Sequence, residues 1–152
     1  MKTLANPRDK EEIVQRLSAI GPASRRQWGK MTAHEMICHL SDAFRVILGE
    51  KEARPAGNWF SRSVFKWMGL WLPVRWPRGV STVPECDARL GGTAPGAFES
   101  DLSDLRRLLD RFAGQPRDFE WQTHPIFGQM SDKECLRWGY LHTDHHLRQF
   151  GA

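Results

Sequence analysis

Three of the six histidines have the residue type and spacing that a divalent metal site requires. His142 and His146 are four residues apart, so on a helix their imidazoles share one face. His39 lies three residues after Met36 and four before Ala43, which puts it on the inward apolar stripe of another helix. Helix bundles build metal sites from side chains on facing helices. The pattern therefore suggests one cation held by three imidazoles, with solvated or core histidines as the alternative.

Other residues are candidates for the surroundings of this site. Five of them share or adjoin the inward face of the last helix: Cys135, Trp138, Tyr140, His145 and Gln149. His145 is rotated by ~100° from His146 and is expected beside the site or outside it. Gln149 either reaches the pocket or caps the helix end, and Tyr140 is a candidate proton donor off the histidine face. No carboxylate can be placed beside the three histidines, so no catalytic residue is assigned.

Other chemically capable residues have structural interpretations. His34 is expected to be a surface residue at the start of a helix, and His124 a loop residue that fixes a turn by hydrogen bonding. Glu35 belongs to a helix cap, which argues against a role as catalytic base. Cys38, like Cys135, is predicted to be a small core residue and not a nucleophile.

Four long amphipathic helices must position the histidines. The first is predicted over residues 7–18 with Asn6 as its N-cap, and the second follows a capping box at residues 32–35 and stops at Gly49. The third covers residues 96–112 and ends at Gly114, and the fourth runs from a second capping box at residues 131–134 to residue 149. These elements, with no convincing strand pairs, predict an all-α four-helix bundle.

The segment between the second and third long helices, residues 50–92, is an aromatic-rich elaboration. Prolines interrupt it, a short helix is plausible over residues 58–72, and residues 80–86 could form an extended piece. Its indoles could cover the core, form a lid or wall over a substrate pocket, or contact a membrane surface through interleaved basic residues. Its prolines break any long amphipathic helix, so we favour core cover, then the lid.

The composition limits the remaining possibilities. A length of 152 residues fits one domain, residues 1–152, and a net charge of +4 is too mild and dispersed to imply a nucleic-acid partner. The charged N-terminus has no apolar signal-peptide core, and three separated cysteines offer no disulfide framework. A cytoplasmic protein without stable membrane association is expected.

Two segments resemble the DinB-like superfamily of helical metalloproteins. The sequence HPIFGQMSDKECLRWGYLHTDHHLRQFG, residues 124–151, is similar to the C-terminal signature of that superfamily, including its HPxFG loop and HxxxHHLRQ ending. The sequence WGKMTAHEMICHLSDAFR, residues 28–45, resembles its second helix, in which a His-Leu pair carries a metal ligand. The resemblance covers most of the chain from residue 28 onward, and residues 50–90 match poorly.

The resemblance implies a four-helix bundle, often dimeric, in which His39, His142 and His146 hold a divalent cation such as Zn, Ni, Mn or Fe. Characterised relatives include thiol-dependent transferases and hydrolase-like proteins. We therefore expect a metal that activates a thiol or water toward a small electrophilic substrate. A non-catalytic bundle that binds a metal or small ligand, in a stress response, is the alternative, and a nucleic-acid binder is the least favoured hypothesis.

Overall fold

The computed structural model describes residues 1–56, 58–73 and 75–152, with the side chains of Trp59 and Ser61 excepted. The described part of the chain is all-α, without a β-strand. It contains five α-helices, α1 (Pro7–Ser18), α2 (Ala33–Leu48), α3 (Trp59–Trp71), α4 (Phe98–Ala113) and α5 (Asp132–Gln149), and one 3₁₀ turn (Pro84–Cys86). The prediction of an all-α class is confirmed.

The helix ends follow local capping signals. Asn6 accepts a hydrogen bond from the amide of Arg8 at the start of α1. Complete capping boxes, Thr32 with Glu35 and Ser131 with Glu134, begin α2 and α5. These predicted caps are all confirmed. The second of them sets where α5 begins, and therefore where its histidines fall relative to the other helices.

One glycine helix end matches expectation, whereas a second one and the predicted extended piece differ from it. Gly49 ends α2 in the left-handed conformation with φ 80°, as a glycine C-cap usually does. Gly114 also ends its helix, but with φ −70° and ψ 160°, in extended backbone. The extended piece predicted over residues 80–86 is wrong at its end, because Pro84 starts a 3₁₀ turn. Proline fixes φ near the helical value, which suits the first position of such a turn.

The hydrophobic core lies between paired helices. Helix α2 packs mainly against α4, α5 packs against α1 and α3, and α2 also contacts α5. Phe44 and Phe112 meet edge to face at the centre, with ring centroids 4.8 Å apart. The α2–α5 contact brings together the two helices that carry the predicted ligands.

The elaboration is held to α2 by a buried carboxylate. Asp42 accepts hydrogen bonds from the backbone amide and the hydroxyl of Thr93, at 2.6 and 2.7 Å, and pairs with Lys51 at 2.8 Å. Both ends of the segment between α2 and α4 are thereby fixed on α2. This contact allows the 3₁₀ turn to approach the inward face of the same helix.

The aromatic residues of the elaboration divide into two groups. Trp71 and Trp76 pack against the core, whereas Phe60 and Trp67 remain about three-fifths exposed. The favoured interpretation of the segment as core cover is therefore correct only in part. Among the described residues, no helix has the length and apolar character needed to cross a bilayer.

Candidate metal centre

The structure brings His39 of α2 together with His142 and His146 of α5. The Nε2 atom of His142 lies 3.1 Å from the Nε2 atom of His39 and 3.1 Å from that of His146. One ligand atom from each ring lies within 4.8 Å of both others. The predicted convergence of the three rings is thus present, and the cluster could hold a metal ion.

The spacing of the nitrogens fits coordination to a single cation. Two nitrogens bound at ~2.1 Å lie ~3.0 Å apart when their bonds are at a right angle, and ~3.4 Å apart at the tetrahedral angle. The two observed separations of 3.1 Å fall between these values. The imidazoles therefore need little movement to ligate one divalent ion.

Hydrogen bonds of the Nδ1 atoms of two rings fix which nitrogen faces the point where the three imidazoles converge. The Nδ1 atom of His39 lies 2.9 Å from the carbonyl oxygen of Cys86, and that of His146 lies 2.7 Å from Oε1 of Gln149. Both oxygens only accept hydrogen bonds, so each Nδ1 atom carries the proton and donates it. The Nε2 lone pairs of His39 and His146 are consequently free to bind a cation.

His142 is held differently. Its ring stacks on the indole of Trp138 at a centroid distance of 5.0 Å and an angle of 24°. Its Nδ1 atom is buried and has no hydrogen-bond partner among the described residues. Packing, without a second hydrogen bond, therefore orients this ring. His142 is also partly exposed, whereas His39 and His146 are buried, so it is the most solvent-accessible of the three.

The three histidines are electrically neutral at physiological pH. Burial lowers the pKa of His39, and burial together with the neighbouring imidazoles lowers the pKa of His142 and His146 well below the ordinary 6.5. The rings therefore carry no positive charge that would repel a cation near pH 7. Neutral imidazoles, each of which can present an Nε2 lone pair, are the donor set that a divalent cation requires.

His145 lies beside the site, as predicted from its rotation on α5. Its ring is 5.2 Å from that of His146 and stands edge-on to Trp28 at 4.9 Å, with Trp76 at 5.9 Å. Burial, assisted by the charge of Arg148, lowers the pKa of His145 to about 4. His145 is thus a neutral neighbour enclosed by indoles, outside the group of converging rings.

The remaining pocket candidates take varied positions. Trp138 and Gln149 contact the cluster, as described above. The thiol of Cys135 is buried and faces the carbonyl of Met130, and the hydroxyl of Tyr140 donates to Glu12 of α1 at 3.0 Å. The expectation that Tyr140 could donate a proton at the site therefore finds no contact to support it. Burial raises the pKa of Cys135 to about 12, which favours the predicted inert core thiol.

The structural roles expected for the remaining candidates are partly confirmed. The Nδ1 atom of His124 accepts hydrogen bonds from the amides of Ile126 and Phe127, both at 3.0 Å, so this residue fixes its turn as predicted. His34 differs from expectation, because it is only partly exposed and its Nε2 atom lies 2.7 Å from a carboxylate oxygen of Asp101 on α4. With Cys38 it forms a second group of potential ligand atoms, which we interpret as an interhelical contact.

Sequence reasoning missed the partners that come from the elaboration. The carbonyl of Cys86 carries no sequence signal, because every residue type has one. Thr82, whose hydroxyl lies 3.3 Å from Nδ1 of His39, was also not predicted. Trp76 was covered only by the hypothesis that the indoles of the elaboration form a lid. Its indole lies 6.0 Å from the ring of His142.

Comparison with known proteins adds no relative to this description. The chain matches no protein-family model, and searches of the curated proteins and of the solved structures gave no match either.

Proposed function

We propose that the chain is a DinB-like protein with a four-helix-bundle core and a metal-dependent activity. Three ligands from two helices, His39, His142 and His146, would hold the divalent cation. The proposal is supported by the convergence of their Nε2 atoms and by the two sequence segments that carry the resemblance. Zn, Ni, Mn and Fe are all compatible with imidazole ligands.

The observation that carries the proposal is the fixed tautomer of two ligands. Hydrogen bonds to Cys86 and Gln149 aim the lone pairs of His39 and His146 at the point that His142 also faces. Without a cation, the Nε2 atom of His142 can donate to only one of these two nitrogens, and the buried acceptor left unpaired costs about 1–3 kcal/mol. A cation satisfies all three acceptors at once.

A divalent cation bound here supplies Lewis acidity, which lowers the pKa of a thiol or water that it binds. The residues of the chain determine how a molecule can reach that cation. The partly exposed ring of His142 faces the side on which a small molecule can approach, and Trp138 prevents that ring from turning. Among the described residues, no carboxylate hydrogen-bonds to any of the three ligand rings, so the chain offers no carboxylate base in contact with them. We propose a thiol transferase or a hydrolase acting on a small electrophile.

The test is elemental analysis of purified protein and of two variants. We expect about one divalent metal ion per chain in the wild type, loss of most of it in His142→Ala, and retention in His145→Ala. His145 is the matched control, because it lies on the same helix and beside the site but outside the converging group. Circular dichroism checks that both variants keep their helices.

Two outcomes would contradict the metal site. One is wild-type protein with less than about 0.1 metal ion per chain after incubation with excess Zn, Ni, Mn and Fe salts. The other is equal metal content in the two variants. A metal-loaded protein that shows no metal-dependent reaction in a screen of thiols and electrophiles would favour the alternative of a non-catalytic metal-binding bundle.

A further inference from the structure

A cleft of about 310 Å³ opens beside the candidate metal centre. We call it the basic cleft. It is lined by the aromatic, amide and basic side chains of Gln27, Trp28, Arg75, Trp76, Arg78 and Arg148, together with Gly151 and Ala152. Trp76 forms the wall toward the metal centre, because its indole lies 6.0 Å from the ring of His142. A molecule in the basic cleft is therefore separated from a metal ligand by a single indole.

The charged side chains of the basic cleft all have one sign. Three guanidinium groups line it, and among the described residues no aspartate or glutamate does; the backbone oxygen of Ala152, which also borders the cleft, accepts a hydrogen bond from Arg16 at 3.0 Å. Arg148 is partly neutralised, since its Nε atom donates to Asp144 at 2.9 Å, but Asp144 also pairs with Arg16 at 2.8 Å. Like charges that surround one small space create a positive potential that favours an anion.

The two other arginines are available to a ligand. Arg75 and Arg78 are exposed, and the guanidinium of Arg78 lies over the indole of Trp28, 5.2 Å from the ring centroid. This cation–π contact uses the face of the guanidinium, and its N–H groups have no hydrogen-bond partner among the described residues. A guanidinium fork with free donors binds carboxylate or phosphate oxygens with two parallel hydrogen bonds.

We propose that the basic cleft binds the anionic group of the substrate, a carboxylate or phosphate attached to a planar or apolar body that packs on Trp28 and Trp76. That the bound anion belongs to the substrate rests on the proposed function. That the cleft binds an anion rests on the cleft alone. Arg75 and Arg78 belong to the segment that matches the superfamily pattern poorly, so the proposed selectivity for anions is specific to this chain.

The experiment measures binding of three probes by calorimetry: benzoate, phenyl phosphate and the uncharged benzamide. Each is titrated into full-length protein in the metal-free and the Zn-loaded form. We expect both anions to bind the metal-free protein and benzamide to bind at least about tenfold more weakly, because charge-assisted hydrogen bonds are lost. The stronger of the two anions identifies the preferred oxyanion.

Variants assign the binding to the cleft. The double variant Arg75→Gln, Arg78→Gln should weaken anion binding at least about tenfold and leave the Zn content unchanged. Arg107→Gln is the matched control, because Arg107 is an exposed arginine on α4 that pairs with Asp104. We expect its anion affinity to stay within about twofold of the wild type.

The outcomes separate this inference from the proposed function. Equal affinity for benzamide and benzoate, or unchanged anion affinity in the double variant, would overturn the basic cleft as an anion site. Anion binding that appears only with Zn and survives the double variant would also overturn it, since the metal would then be the binding group. Anion binding by a protein that takes up no metal would support the cleft and refute only the metal proposal.

Discussion

The affinity of the proposed metal site should depend on the groups that orient the three histidines as well as on the histidines themselves. Gln149 accepts the Nδ1 proton of His146 at 2.7 Å, and this bond selects the tautomer whose Nε2 lone pair faces the focus. Among the described residues, this is the hydrogen bond by which its side chain contacts the three histidines. Gln149 is therefore the residue at which orientation can be tested separately from coordination.

We predict that Gln149→Leu binds Zn about 10–100-fold more weakly than the wild type, because the ring of His146 loses its acceptor. Gln149→Glu keeps an acceptor and should lose much less. Competition with a chelator of known affinity measures both values, and Gln122→Leu, an exposed glutamine, is the control. Wild-type affinity in Gln149→Leu would show that the tautomer is fixed by another contact.

The convergence of the three histidines could be predicted from the sequence, whereas their hydrogen-bond partners could not. The positions of His142 and His146 on one face follow from helix periodicity, which is a local property. The partner of His39 is the carbonyl of Cys86, 47 residues away in a turn whose path depends on tertiary contacts. The positions of Arg75 and Arg78 depend on the same irregular path, so composition alone could not place them at the site.

At the scale of elements, the approach of α5 to its neighbours requires a residue without a side chain. A Cβ atom at Gly139 would lie 2.7 Å from Leu4, 3.0 Å from Phe112 and 3.3 Å from Phe44. The last two are core aromatic residues of α4 and α2. Gly139 therefore determines how close α5 comes to α2, and with it the separation of His142 from His39.

We predict that Gly139→Val lowers the free energy of unfolding by about 2 kcal/mol. Overpacking of a core costs ~1–3 kcal/mol and exceeds the few tenths gained in helix propensity. Chemical denaturation measures the change, and the control is Gly21→Val, where a Cβ atom meets nothing within 4 Å. Equal stability of the two variants would mean that the helices adjust without cost.

The bounds of the helices could be predicted better than the backbone path of the elaboration, because helix caps are local. Caps such as Thr32 with Glu35 form within a few residues, so sequence alone determines where α2 and α5 begin. The 3₁₀ turn at Pro84 forms against α2, to which Asp42 holds the following chain. Interactions between distant residues determine the backbone conformation of that segment. The prediction of an extended piece over residues 80–86 is therefore wrong at its end.

At the scale of the whole molecule, several buried histidines link stability to pH. His124, His145 and the three proposed ligands all have a pKa below the ordinary 6.5 because of burial, to about 3 for His124 and about 4 for His145. As the pH falls below 6.5, the unfolded chain takes up protons at these residues while the folded chain does not. Their contribution is complete above pH 6.5 and is lost as the pH falls toward the folded-state values.

We predict that metal-free protein loses stability between pH 7 and pH 5, where most carboxylates do not yet titrate. The slope approaches ~1.4 kcal/mol per pH unit for each buried histidine once the pH is well below 6.5. His124→Asn should reduce the slope by the contribution of one histidine, because an amide does not titrate. The amide oxygen can still accept the hydrogen bonds from Ile126 and Phe127. Denaturation curves at several pH values measure this. An unchanged slope in His124→Asn, or a flat wild-type profile, would mean that the folded protein takes up these protons without losing its structure.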